Sequence, residues 1–193
     1  MKLILSSCDF GNPNSAQVIR ENLCKPLADC RVLYFPNEKA TPEKIKSGKY
    51  ESRLTALGFT RKNIYVANYF APEKFFDLDI DLIYVSGGNT FGTLKRIRDA
   101  GFESAIVRYV HSGVVYIGGS AGAHIVTADI SHVSKYDKDT CGLTDLSGIG
   151  LYGGILVCHY TEERRDDVTR LTAENRYPVH VLTDEESIIV KDD

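Results

Sequence analysis

Ser120 is the one reactive side chain in the run Gly118-Gly119-Ser120-Ala121-Gly122. Four residues that favour strands, Val114, Val115, Tyr116 and Ile117, lead into it and suit a buried strand. The spacing Gly118-x-Ser120-x-Gly122 is that of a nucleophile elbow, a tight strand-to-helix turn that presents a serine Oγ at the end of a sheet. Glycines suit such a corner because a strained turn leaves no room for Cβ atoms beside the serine. An ordinary glycine-rich turn has the same composition, so the rest of the chain has to separate the two readings.

A serine nucleophile needs a general base and donors for the developing oxyanion. Gly88, in Ser86-Gly87-Gly88-Asn89-Thr90, is the best donor outside the corner, since a bare backbone N–H lets a substrate oxygen approach. The second donor is the N–H of Ala121, the residue after the serine. The blander reading of Gly87-Gly88 is a plain strand-to-helix turn. Five histidines are candidate bases: His111, His124, His132, His159 and His180. His111 falls in a helix and reads as a surface residue. His124 follows Ser120 by four, on the same helix face but pointing along the helix. His180 lies within a strand and reads as structural, whereas His132, in an irregular stretch, stays open. His159 directly ends an apolar strand, where parallel α/β enzymes mount site residues. For the orienting acid, Asp129, Asp137, Asp139 and Asp145 follow the serine, and Asp184, Glu185 and Glu186 follow a late strand. Spacing alone does not choose among these carboxylates.

The elements that must carry these residues alternate. Strands are expected at 2–7, 31–35, 63–69, 81–85, 114–117, 155–158, 179–182 and 187–190. Helices are expected from Ser15 to Cys24, from Thr41-Pro42-Glu43 to about Leu57, from Thr90 to Ala100, from Glu103 to His111, after Ser120, and from Glu162 to Asn175. Pro42 suits a first helical turn and Gly58 a helix end. Residues 130–150 read as irregular. Alternating strands and helices argue for a parallel sheet covered on both faces, with ligands at the carboxyl ends of the strands. Gly87-Gly88-Asn89, Gly118-Gly119-Ser120 and Cys158-His159-Tyr160 all fall at such ends. No repeat, low-complexity tract or linker interrupts the chain, so residues 1–193 read as a single domain.

Composition narrows the partners. The net charge of −3 gives no reason to expect nucleic acid or an anionic membrane. No apolar run nears the roughly 20 residues of a membrane span, and the start Met1-Lys2-Leu3-Ile4-Leu5 is too short for a signal-peptide core. A cytoplasmic location is the default expectation. Five scattered cysteines, Cys8, Cys24, Cys30, Cys141 and Cys158, argue against a disulfide framework, and no C-x-x-C pair suggests zinc. Cys8 and Cys158 read as small buried core residues. Neither glycine turn has dinucleotide or P-loop spacing, so no cofactor is expected.

The segment Ile83-Tyr84-Val85-Ser86-Gly87-Gly88-Asn89-Thr90-Phe91, followed by Tyr116-Ile117-Gly118-Gly119-Ser120-Ala121-Gly122-Ala123, closely resembles peptidase family S51. That family contains the aspartyl dipeptidase (dipeptidase E) and the cyanophycinases. The resemblance runs best from about Ala67 to Ile125 and resumes around His159, while 128–154 is not readily matched. It implies an α/β fold, a three-layer flavodoxin-like sandwich with a mainly parallel sheet, like that of class I glutamine amidotransferases. It also implies serine hydrolysis of a peptide bond without metal. By motif position Ser120 resembles the nucleophile, His159 the family histidine, and Gly88 and Ala121 the oxyanion donors. Leu182-Thr183-Asp184 matches a family L-x-E and points to Asp184 as the acid. The family's other proposed acid lies some fifteen residues after the nucleophile, here Lys135, with Asp137 and Asp139 close by. Asn89 and Arg165 are the expected substrate contacts, with Arg164 and Arg170 as further cations for an acidic substrate. One departure stands out: Gly119 replaces a bulky aromatic of the dipeptidase.

The expected activity is cleavage of small peptides, extending to dipeptides with an N-terminal acidic residue, through an acyl-enzyme on Ser120. An esterase or amidase using the same site, and a non-catalytic ligand-binding member, are the alternatives. The sequence leaves the oligomeric state open.

Overall fold

The computed structural model describes residues 1–191. The chain opens with β1 (Lys2–Ser6), then α1 (Pro13–Glu21), β2 (Val32–Phe35), α2 (Pro42–Lys46), α3 (Lys49–Leu57) and β3 (Ile64–Val66). β4 (Leu82–Val85), α4 (Thr90–Asp99), α5 (Phe102–His111), β5 (Val115–Gly119) and the short α6 (Ala121–His124) follow. The last part holds β6 (Ile155–Val157), α7 (Arg165–Glu174), β7 (Val179–Val181) and β8 (Ser187–Lys191).

Six strands form one sheet in the order β3-β2-β4-β5-β1-β8. All neighbours are parallel except β1 and β8, which run antiparallel. Side chains alternate across this sheet, as a strand's period of two requires. Leu3, Leu5, Leu33, Phe35, Ile83, Val85 and Tyr116 join Phe91, Leu94 and Ile97 of α4 and Phe102 and Ile106 of α5 in one core layer. Their sequence neighbours Ile4, Val32, Tyr34, Leu82, Tyr84, Val115 and Ile117 face the other way, onto Ile19 of α1 and Tyr50 and Leu54 of α3. Strands buried on both faces read as near-continuous apolar runs, which is how β1, β2, β4 and β5 read. The result is the mainly parallel, three-layer flavodoxin-like sandwich that the resemblance implied.

Four expected elements take a particular form. The helix expected over 41–57 is two, because Gly48 adopts φ +73° between α2 and α3 and breaks the hydrogen-bond ladder. The expected strands at 155–158 and 179–182 leave the main sheet and pair with each other, in parallel. The helix after Ser120 lasts only four residues. Among the described residues no helix is long and apolar enough to cross a membrane.

Register decides what meets at the carboxyl ends. Ser6 lies beside Gly119, and Val85 beside Gly118. Residues 7–9 and 86–88 therefore flank Ser120 on its two sides.

Candidate active site

Ser120 sits at the corner between β5 and α6 with φ 48° and ψ −109°, a strained conformation for a residue with a side chain. Its N–H donates to Ser6 O at 2.9 Å, which ties the corner to β1. The flanking glycines are there because backbone passes too close for anything larger. A Cβ on Gly122 would lie 2.0 Å from Val85 O, and one on Gly118 would lie 2.5 Å from Gly122 O. A Cβ on Gly119 would lie 2.3 Å from the Asp9 carboxylate. Asp9 thus fills the space into which a bulky aromatic at position 119 would have to project.

One side chain meets the serine and a second meets that one. Ser120 Oγ lies 2.9 Å from His159 Nε2, and His159 Nδ1 lies 2.6 Å from Asp184 Oδ1. The hydrogen bond from His159 holds the Asp184 carboxyl below its ordinary range. An ionised Asp184 only accepts, so the imidazole carries its proton on Nδ1 and offers the Nε2 lone pair to Ser120. His159 follows β6 with φ 55°. Asp184 lies in the turn from β7 to β8, which β8 brings beside β1. Pairing of β6 with β7, continued by Leu182 N–H to Val157 O at 2.9 Å, sets the two residues side by side.

The other carboxylates and histidines are occupied elsewhere. Asp137 accepts from the Thr90 N–H at 2.8 Å. Asp139 organises its own loop through the N–H groups of Cys141, Gly142 and Leu143. Asp129 and Asp145 accept from Ser131 and Ser147 N–H groups, and Glu186 from Thr183 N–H. His124 is buried against Thr90, 3.5 Å from its hydroxyl, and His132 Nε2 donates to Leu156 O at 2.7 Å. Burial pushes His124 down to about 3 and also lowers His132, so both are neutral. His180 contacts the Tyr152 hydroxyl, and His111 is exposed.

The turn after β4 carries Gly88, the donor expected outside the corner. Its N–H groups are assigned in order: Asn89 N–H to Glu38 Oε2 at 3.0 Å, Thr90 N–H to Asp137, Gly92 N–H to Asn89 Oδ1 at 2.9 Å. Among the described residues neither the Gly88 nor the Ala121 N–H donates a hydrogen bond. Gly87 lies against the serine, since a Cβ there would lie 3.4 Å from Ser120 Cβ and 3.9 Å from its Oγ. Position 88 excludes a side chain for another reason, as a Cβ would lie 2.6 Å from Asn37 Cβ. The Asn89 side chain caps α4 and donates to Lys138 O at 3.0 Å. Arg165 is exposed and faces Glu162 at 3.8 Å. Arg164 turns inward instead, onto Cys158 O and over the Tyr136 ring at 3.9 Å.

Sequence reasoning missed Ser7 and Asp9. Ser7 Oγ accepts from the His159 N–H at 2.7 Å and donates to Asp184 Oδ1 at 3.3 Å, so one buried hydroxyl spans both partners of Ser120. The available signal was position: Ser7 directly ends the strand that pairs with β5. Asp9 is buried with φ 43°, and burial pushes its carboxyl up. Cys8, expected in the core, is half-buried at the edge of the His159–Asp184 pair, because the chain has left β1 before it. Burial, then the neighbouring Asp184, pushes its thiol up to about 11, and burial pushes Cys158 up to about 12. Both stay protonated at neutral pH and are poor nucleophiles.

A cavity of about 460 Å³ along α4, lined by Glu38, Tyr69 and Arg96, reaches neither Ser120 nor His159. A smaller one of about 170 Å³ is rich in cations: Lys39, Lys44, Lys49 and Arg53, with Tyr34 and Asn37. Tyr34 bonds the Ser86 hydroxyl at 2.9 Å, and Asn37 packs on Gly88.

The family model described as peptidase family S51 matches residues 3–193. An uncharacterized peptidase of Listeria innocua serovar 6a is 30% identical over 118 residues, covering 58% of this chain and 56% of its own length. Peptidase E of Citrobacter koseri is 39% identical over 74 residues, 35% of this chain and 32% of that protein. The chain thus spans about half the length of the first relative and a third of the second in these matches. A crystal structure described as a candidate peptidase E from Listeria monocytogenes EGD-e superposes with a TM-score of 0.73 at 21% identity, covering 100% of this chain and 98% of that one. At that identity the likeness speaks for the fold alone.

Proposed function

The chain belongs to peptidase family S51, and we propose that it is a serine peptidase of small peptides with Ser120 as nucleophile, His159 as base and Asp184 as the acid. The observation that carries this reading is the continuous chain of hydrogen bonds, Ser120 Oγ to His159 Nε2 at 2.9 Å and His159 Nδ1 to Asp184 at 2.6 Å. Geometry of this kind is what an acyl-transfer triad requires.

In the proposed reaction Ser120 Oγ attacks the scissile carbonyl as its proton passes to His159 Nε2. Asp184 keeps Nδ1–H in place and stabilises the imidazolium. The free N–H groups of Gly88 and Ala121 receive the oxyanion, each worth on the order of 10² to 10³ in rate. His159 then returns the proton to the leaving amine, giving an acyl-enzyme on Ser120, and activates water to hydrolyse it. Ser120 is partly exposed and the His159 and Asp184 side chains are 39% and 60% exposed, which suits an open site for short peptides.

For the substrate, the cation-rich cavity beside Asn37 and Gly88 supports an N-terminal acidic residue. Arg53, Lys39 and Lys49 take the role that sequence reasoning gave to Arg165, which lies outside this cavity.

A fluorophosphonate probe tests the nucleophile. Wild type should label and Ser120→Ala should not; equal labelling of the two would remove Ser120 from its role. Dipeptides differing only in their first residue test the pocket, with Asp-X expected to be cleaved at higher kcat/KM than Ala-X.

A further inference from the structure

The half-buried Cys8 brings a third metal-binding atom to the outer edge of the triad. Cys8, His159 and Asp184 each offer one ligand atom, and these atoms lie within 4.8 Å of one another. Among the described residues no other group of three His, Cys, Asp or Glu side chains converges in this way. We infer that this edge binds a thiophilic divalent cation of the Zn²⁺ class, which switches the triad off by reversing the His159 tautomer. The switching step rests on the peptidase reading above; the cation site does not.

The donor set selects the ion. One thiolate, one imidazole and one carboxylate make a three-ligand site with a fourth position open to solvent, which suits Zn²⁺. Hard cations such as Mg²⁺ and Ca²⁺ need several oxygen ligands and would find one carboxylate. Ligands around a tetrahedral ion with bonds of about 2.0–2.3 Å stand roughly 3.3–3.8 Å apart. The three atoms lie within 4.8 Å of one another, so reaching that spacing takes shifts of about an ångström, with the His159–Asp184 pair opening from its 2.6 Å hydrogen bond. They can be reached from solvent, since Asp184 is 60% exposed, His159 39%, and Cys8 half-buried.

The ligands come from three separate segments: Cys8 after β1, His159 after β6, and Asp184 before β8. The Nδ1 side of His159 is the side that faces Asp184, while Nε2 faces Ser120. A cation between Cys8 and Asp184 therefore takes the Nδ1 lone pair. The protons balance as follows. The Nδ1 proton leaves, Nε2 gains one, and the imidazole stays neutral. The Cys8 thiol releases its proton to solvent as it becomes a ligand. Net release is one proton per cation bound. Nε2 then donates toward Ser120 Oγ and can no longer accept its proton, so general-base activation stops.

The test uses the reduced full chain and two readouts. The first is Co²⁺ titration, read as the thiolate-to-metal absorption band and its displacement by Zn²⁺. The second is turnover and fluorophosphonate labelling under graded Zn²⁺, with Mg²⁺ and chelator controls. Wild type should give a band at one equivalent and be inhibited reversibly by Zn²⁺ and not by Mg²⁺. Cys8→Ser should lose the band and need at least tenfold more Zn²⁺ for the same inhibition, with metal-free turnover like wild type. Cys8→Ala serves as a second variant. A band that persists in both variants, or no band in wild type, overturns the site. A Cys8-dependent band without inhibition overturns the switching step. Lack of turnover in the metal-free wild type counts against the peptidase reading, and the cobalt band still decides the cation site.

Discussion

Asp184 and Ser7 divide the work of holding one imidazole. Asp184 fixes the ring through Nδ1, and Ser7 fixes the His159 backbone and Asp184 together. Their loss should read differently. Asp184→Asn removes the carboxylate that fixes the tautomer, and kcat is expected to fall about 10³- to 10⁴-fold, as in other triads. Ser7→Ala deletes one hydroxyl and leaves the His159 N–H without its acceptor. A hydrogen bond of about 1–1.5 kcal/mol expressed in the transition state is about tenfold in rate. Steady-state kinetics of Ser7→Ala should show that loss in kcat, with KM close to wild type. A change in KM alone would assign Ser7 to substrate binding instead of positioning.

The corner between β5 and α6 is the element most sensitive to size. Gly122 meets Val85 O, a backbone atom of a central strand that cannot swing aside as a side chain would. Gly122→Ala should destabilise the protein by about 1–3 kcal/mol and lower Tm by roughly 2–4 °C for each of those kcal/mol. Gly11→Ala is the matched control, since nothing lies within 4 Å of a Cβ there, and its Tm should be unchanged. Thermal melts of the pair decide whether the corner is as tight as its backbone contacts imply. These elements also show what a sequence can carry. β1, β2, β4 and β5 were legible because strands buried on both faces must be apolar throughout, and Ser120 because its neighbours had to be glycine. The break at Gly48 was not legible, because glycine in a helix and glycine between helices look alike until a positive φ is seen. Nor was the departure of β6 and β7 from the main sheet, which depends on pairing over long range. Ser7 escaped notice because a buried hydroxyl that bridges two distant segments leaves no pattern in the chain. His159 was legible as a strand-end residue, but Asp184 stood out from Asp137 and Asp139 only through the resemblance, and the geometry separates them by their partners: Asp184 faces His159 while Asp137 and Asp139 accept from N–H groups elsewhere.

Acid should unfold the whole molecule through two histidines that no catalytic step uses. The His124 and His132 rings stack edge-on with centroids 5.8 Å apart in the core behind α6. Burial is the first cause of the low His124 value of about 3, and His132, His159 and Arg164 add to it by like charge. His132 is lowered by burial as well. In the unfolded chain both titrate near 6.5, so between 6.5 and about 3 the unfolded state binds more protons. Stability conferred by neutral His124 is therefore complete above 6.5 and is lost as pH falls toward 3, and His132 acts in the same sense. The one proton taken up by His124 gives a slope approaching about 1.4 kcal/mol per pH unit, and His132 adds to it in the same direction. Asp9 acts in the opposite sense, because its raised carboxyl releases a proton on unfolding at pH values above 3.8. Asp184, with a lowered carboxyl, contributes only below that value. The loss should thus steepen as pH falls below 6.5 and the unfolded histidines fill with protons, until Asp9 begins to offset it. Urea unfolding at pH 7 and pH 5 measures this directly. His124→Gln, uncharged at every pH, should reduce the difference between the two by about one proton's worth, roughly 1.4 kcal/mol per unit. An unchanged slope in that variant would show that His124 already carries its charge in the folded protein, and that the core behind α6 admits water.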